Sequence, residues 1–126
     1  MARNKNHYPT EKELAILKVL WHEGPCTVRQ VNDQINKIEK TGYTTTLKLM
    51  QIMTDKGLVV RDDSAFKHVY KPAISAADTE TQLVGDMLDK VFAGSAERLV
   101  MRALSAKEVT AEEIERIRKM LDEMED

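Results

Sequence analysis

Cysteine is almost missing from this chain. Cys26 is the only one among 126 residues, which excludes an internal disulfide and makes a reducing, cytoplasmic setting the expectation. There is no CxC or CxxC pair, and His7, His22 and His68 form no HxxxH pair, so the ligand spacing of a thiolate or zinc site is missing. A cysteine directly after Pro25 reads instead as a small buried hydrophobe. Aromatic residues make up only 5% of the chain, so its core must come from Leu, Ile, Val and Met. No apolar run approaches the roughly 18 residues that span a bilayer, and the N-terminus lacks the apolar core of a signal peptide. A glycine-rich phosphate loop is absent, and no serine or cysteine has a base beside it. The expectation is therefore a protein that is not an enzyme and uses neither metal nor cofactor.

What is present divides in two. The apolar content of 42% suits a globular chain. The net charge of −2 conceals a split between residues 1–74 and residues 75–126. The first part holds twelve Lys or Arg against eight Asp or Glu, a net +4; the second holds seven against thirteen, a net −6. Read separately, the first part can face phosphates while the second faces solvent or a partner.

The first eight residues are polar and basic (Arg3, Lys5, His7) and read as loose. Thr10 and Glu13 form a capping box that opens a helix. Leu14, Leu17, Leu20 and Trp21 form its apolar stripe, widened by Ile16 and Val19, and Gly24 and Pro25 stop it. Thr27 and Gln30 open a second helix, on which Val28, Val31, Ile35 and Ile38 make one narrow face. The third begins near Thr44, and Gly57 suits a left-handed C-cap. Leu58 to Arg61 and Phe66 to Lys71 read as paired strands around a turn at Asp62–Ser64, with a further extended piece near Pro25 to Thr27. Three helices followed by a two-stranded ribbon is the element order of a winged helix-turn-helix.

Residues 75–126 have another texture. Leu83, Val84, Met87, Leu88, Val91 and Phe92 form one wide apolar face, ended by Gly94; Ser95 caps the next helix, lined by Leu99, Val100, Ala103 and Leu104. Thr110 with Glu113 opens a last helix carrying Ile114, Ile117, Leu121 and Met124. Three short helices with this much apolar surface cannot all be covered within so small a segment, which predicts a second copy as the cover. The fold class expected is mainly α with a small β-wing: a winged-helix domain over residues 1–74 and a three-helix dimerisation domain over residues 75–126.

A recognition helix puts its N-terminal residues against base edges in the major groove. Thr44 and Thr45 stand there, Lys48 one turn on, Tyr43 at the helix entrance, and Arg29 in the first turn of the preceding helix, suited to phosphate. Thr46, four and seven residues before Met50 and Met53, belongs to the inward face. Lys67 and His68 at the wing fit either a groove-contacting tip or a solvated hairpin, and Arg61 and Lys71 at the strand ends are equally open.

Several stretches together resemble the penicillinase-repressor family of bacterial transcriptional repressors (the BlaI/MecI type, with the copper-responsive CopY type as relatives). They are LAILKVLWHEGPCTV from Leu14, YTTTLKLMQIMTDKGLV from Tyr43, HVYKP from His68, DKVFAGSAERLV from Asp89 and VTAEEIERIRKML from Val109. The resemblance implies a homodimer that binds a dyad operator in double-stranded DNA and represses a resistance-type or related operon. In β-lactam-responsive members a membrane sensor protease, encoded nearby, leads to cleavage between an Asn and a Phe; the matching pair here is Arg102 and Ala103. Copper-responsive relatives carry a C-terminal cysteine cluster, whereas this sequence reads MLDEMED there. At Ile52 some relatives carry an Arg near DNA. Two other functions compete with the repressor: a winged-helix module that binds another protein, and a regulator that senses a ligand directly.

Overall fold

The computed structural model describes residues 8–64 and 66–125. Arg3, Lys5 and His7, expected in a loose N-terminal stretch, lie outside the described residues. The elements run α1 (Glu11–Glu23), α2 (Val28–Ile35), α3 (Tyr43–Lys56), β1 (Val59–Asp62), β2 (Val69–Pro72), α4 (Ala76–Lys90), α5 (Ala96–Ala106) and α6 (Ala111–Glu125). They form two compact units, Met1–Leu83 and Val84–Asp126.

Local chemistry sets the helix starts in the first unit. Thr10 Oγ1 accepts from Glu13 N at 3.2 Å while Thr10 N donates to Glu13 Oε1 at 2.9 Å. Thr27 and Gln30 repeat the arrangement at α2, at 3.2 and 2.8 Å. Each box satisfies donors that a helix start otherwise leaves unpaired, an effect of about 1 kcal/mol. Gly57 ends α3 at φ 83°, ψ 17°, a left-handed conformation that a Cβ disfavours. From there Leu58 N donates to Met53 O and the chain turns directly into β1.

The core is one cluster: Ile16, Leu17 and Leu20 of α1, Val28 and Val31 of α2, Met50 and Met53 of α3, with Cys26, Leu58, Val59 and Tyr70. Each such apolar side chain contributes roughly 1.5–3 kcal/mol when fully buried. The wing strands pair antiparallel, from Val59 opposite Pro72 to Asp62 opposite Val69. Cys26 and Tyr70 exchange both backbone hydrogen bonds, at 3.0 and 2.8 Å, so the extended piece expected near Pro25 to Thr27 is a single bridge onto β2. Cys26 is buried there, and loss of hydration, with Glu23 nearby, pushes its thiol pKa up.

Four expectations need correction. The buried stripe of α1 is Glu13, Ile16, Leu17 and Leu20, with Leu14 and Trp21 only half-buried, because this face meets α2, α3 and β2 together. Trp21 uses its Nε1 instead to donate to Ile74 O at 3.0 Å, holding the chain after the wing. Ile38 does not extend the face of α2: that helix ends at Ile35, capped by Asn36, and Ile38 is 85% exposed. β2 starts at Val69, not Phe66, since the ladder to β1 closes at Asp62 opposite Val69 and the residues between bond through side chains, Ser64 to Asp62 and His68 to Asp63. α4 ends at Lys90, so Val91 and Phe92 follow it in a tight turn, with Ala93 and Gly94 at positive φ.

The second unit is built differently. Ser95 Oγ accepts from Arg98 N at 3.1 Å to cap α5, and Thr110 Oγ1 accepts from Glu113 N at 3.1 Å to open α6. Yet neither α5 nor α6 has a buried residue, and neither packs extensively against another helix of its unit. Met87, Val91, Val100, Met101, Leu104, Met120, Leu121 and Met124 are exposed; Leu88, Phe92, Leu99, Ile114 and Ile117 are half-buried. Arg102 and Ala103 lie exposed on α5. At the end of the first unit, Leu83 of α4 is half-buried.

Candidate nucleic-acid interface

α3 is anchored from beneath. Thr46, Met50 and Met53 are all but inaccessible, as their spacing predicts. Thr46 Oγ1 accepts from Asn32 Nδ2 at 2.7 Å, and the same amide group lies 3.0 Å from Thr41 O and 3.3 Å from Gly42 O. Asn36 adds a second brace, donating to Thr41 O at 3.0 Å and accepting from Thr41 N at 2.9 Å. These two asparagines, one in α2 and one capping it, hold the turn before α3 and so set the angle at which α3 leaves it. At the other end, Lys56 Nζ donates to both oxygens of the buried Glu13 at 3.0 Å. Both termini of α3 are therefore tied by polar contacts to the helices behind it.

The opposite face is open. Tyr43, Thr44, Thr45 and Lys48 are exposed, as are Gln51 and Ile52 one turn further. Thr44 and Lys48 stand along the crest. Tyr43 and Gln51 turn toward the wing, and Thr45 lines a separate groove against α1 with Leu49 and Lys12. Gln51 escaped the sequence reading, which stopped at the first turns of the helix. Its signal was the spacing of three from Lys48, which puts both on one side of a helix.

Between α3 and the wing lies an open groove of about 940 Å³. The start of α2 lines one part of it with Thr27, Arg29 and Gln30; Tyr43, Leu47 and Gln51 form one wall; Arg61, Phe66, Lys67 and His68 stand on the wing side. Arg29 stacks its guanidinium over the Tyr43 ring, 4.8 Å from the centroid, which couples the two side chains where they line the groove. Four basic side chains line this groove and no carboxylate does. The groove is thus suited to a polyanion.

Asp63 holds the wing in shape. It accepts from His68 Nδ1 at 2.5 Å and from Arg61 Nε at 2.8 Å, and these contacts, the first foremost, keep its carboxyl below the usual carboxylate range. Arg61, bonded to Tyr70 and Asp63, is held more firmly in its charged form. Asp62 likewise sits low, because the hydroxyl and amide of Ser64 donate to it. The structure therefore brings Arg29, Tyr43, Lys67 and His68 to one groove, with Thr44 and Lys48 on the adjoining crest, and leaves Thr45 on the far flank.

Among the described residues no group of His, Cys, Asp or Glu is arranged to hold a metal ion, and no helix is long and apolar enough to cross a membrane. Helices α1 to α3 followed by the β1–β2 ribbon make this a winged helix-turn-helix, a mainly α protein with a small β-wing. Residues 9–123 match the family model of the penicillinase repressor, and the chain belongs to that family of transcriptional regulators. It is similar to the transcriptional regulator BlaI of Mycobacterium tuberculosis, 31% identical over 116 residues that make up 90% of this chain and 82% of that protein. The penicillinase repressors of Bacillus licheniformis and Staphylococcus aureus are each 21% identical. The first match covers 90% of this chain and 89% of the relative, the second 96% of both.

Proposed function

We propose that the chain is a homodimeric repressor that binds a two-fold-symmetric operator in double-stranded DNA through α3. Thr44, Thr45 and Lys48 meet the major groove. Tyr43, Arg29, Lys67 and His68 meet the sugar–phosphate backbone beside it. The observation that carries this reading is the groove lined by Arg29, Arg61, Lys67 and His68 beside the exposed start of α3, where four basic side chains face one paired carboxylate, Asp63. Hydroxyl and ammonium groups on a helix crest can bond base edges, while cations along the rim fix register on phosphates.

Residues 1–74 take the DNA-binding role in this proposal, and residues 75–126 pair two copies. The exposed apolar residues of α4, α5 and α6 support the pairing. Two half-sites about one helical turn apart, or a multiple of that, follow from the symmetry. The operon controlled is of the resistance type or related to it. Release by a sensor protease would act on the exposed Arg102–Ala103 region of α5.

The test is a fluorescence titration of a labelled duplex taken from the region upstream of the protein's own gene. Affinity should fall steeply with salt, in proportion to the phosphates neutralised. Thr44→Ala and Lys48→Ala should each weaken binding about tenfold, the scale of one lost groove contact. A flat salt response overturns the reading, and a full-length protein that sediments as a monomer overturns its dimeric part.

A further inference from the structure

Phe66 is 100% exposed, more than any other large hydrophobic side chain among the described residues. It stands in the loop between β1 and β2, on the wing side of the basic groove. The described residues on either side of it are braced: Ser64 is bonded to Asp62, and Asp63 ties Arg61 to His68. Flanking contacts of this kind leave the phenyl ring in water without holding it against the core. Its surroundings select the occupant, since Arg29 and Lys67 line the groove together with Arg61 and His68, the latter two sharing the single carboxylate of Asp63, and no carboxylate lines the groove itself. The complement is a body with anions on its rim and apolar walls within, which describes a groove of duplex DNA.

The architecture then decides which groove. A sugar–phosphate strand separates the major groove from the neighbouring minor groove. If that strand lies in the basic groove of the protein, the wall formed by α3 is in the major groove and the wing falls on the strand's other side. We propose that Phe66 is an apolar minor-groove contact, packing its ring against the sugar and base walls there. Apolar side chains at such a place read groove width and the ease of unstacking, and they favour A·T-rich or flexible steps. This inference rests on the DNA-binding reading above and adds a determinant that carries no charge.

The lack of charge makes it testable. Full-length wild type, Phe66→Ala, Phe66→Trp and Lys67→Ala are titrated with the upstream duplex and with a random-sequence duplex at several salt concentrations. Phe66→Ala should bind the upstream duplex about tenfold more weakly, the scale of burying part of one aromatic ring, with an unchanged salt slope. Lys67→Ala should reduce the slope by about one. In Phe66→Trp the new indole, open to acrylamide in the free protein, should become shielded on DNA, with the half-buried Trp21 as internal reference. Because Phe66 touches no core, the variants should melt with the wild type.

Unchanged affinity of Phe66→Ala, or an indole at position 66 still open to acrylamide in the complex, overturns the proposal. A weaker Phe66→Ala whose salt slope has also dropped overturns it as well, since that marks disturbed ionic contacts. Wild type that binds neither duplex removes the DNA-binding reading itself. Wild type that binds normally beside silent Phe66 variants removes this contact alone.

Discussion

The two compact units use the same kind of residue to opposite ends. In Met1–Leu83 the methionines at 50 and 53 and the aliphatic residues of α1 and α2 close a core from which water is excluded. In Val84–Asp126, Met87, Met101, Met120 and Met124 stand in water with Val100, Leu104 and Leu121 beside them. Hydrophobic content alone does not distinguish the units; closure does. The first has a wing and a helix packed on several sides of α1, whereas the second is a run of helices that cannot enclose its own apolar faces. On the proposed reading the first unit is stable alone and a second copy covers the second.

Substitutions can break that contrast in order of size. The largest effect is expected at the centre of the first unit. Leu17 is completely inaccessible, and Leu17→Ala should cost about 2–5 kcal/mol through lost transfer energy and the cavity left behind, read by urea denaturation. Next is the second unit. Leu104→Asp places a charge on the exposed face of α5; it should leave the melting of the first unit unchanged and raise the dissociation constant of the paired form about a hundredfold, read by sedimentation. If instead the first unit unfolds, the division into a self-sufficient and a dependent part is wrong. A smaller effect is expected at Asn32. Asn32→Ala leaves buried Thr46 Oγ1 without its donor and should cost about 1–3 kcal/mol, with weaker DNA binding because α3 is no longer held at its angle.

Much of the first unit was legible because its determinants are local. Capping boxes act over three residues, a left-handed glycine acts at one, and the inward face of α3 follows from helical periodicity. Thr10, Thr27, Gly57 and the set Thr46, Met50 and Met53 stand where those rules put them. Ile38 misled for the same reason. Its spacing continued the face of α2, but Asn36 had already capped the helix by turning back to Asn32 and Thr41. The sequence pattern shows a periodic position, not the polar contact that ends the period. The candidate interface was legible as exposed residues on α3 and as basic residues elsewhere; that Arg29, Lys67 and His68 share one groove was not.

The sequence by itself determined the element order, the helix starts, the inward side of α3 and the surplus of apolar surface after Ser75, because each depends on neighbours within a turn or two. Only the tertiary structure decided the rest. A glutamate near the start of the chain is buried because Lys56, 43 residues later, reaches both its oxygens. Asn32 becomes the support of α3 because Thr46 arrives 14 residues on with an acceptor at 2.7 Å. Phe66 stands on a wall of the basic groove because a braced loop, rather than a longer strand, carries it there. Such pairings depend on how the chain closes in space, and spacing along the chain does not encode that closure.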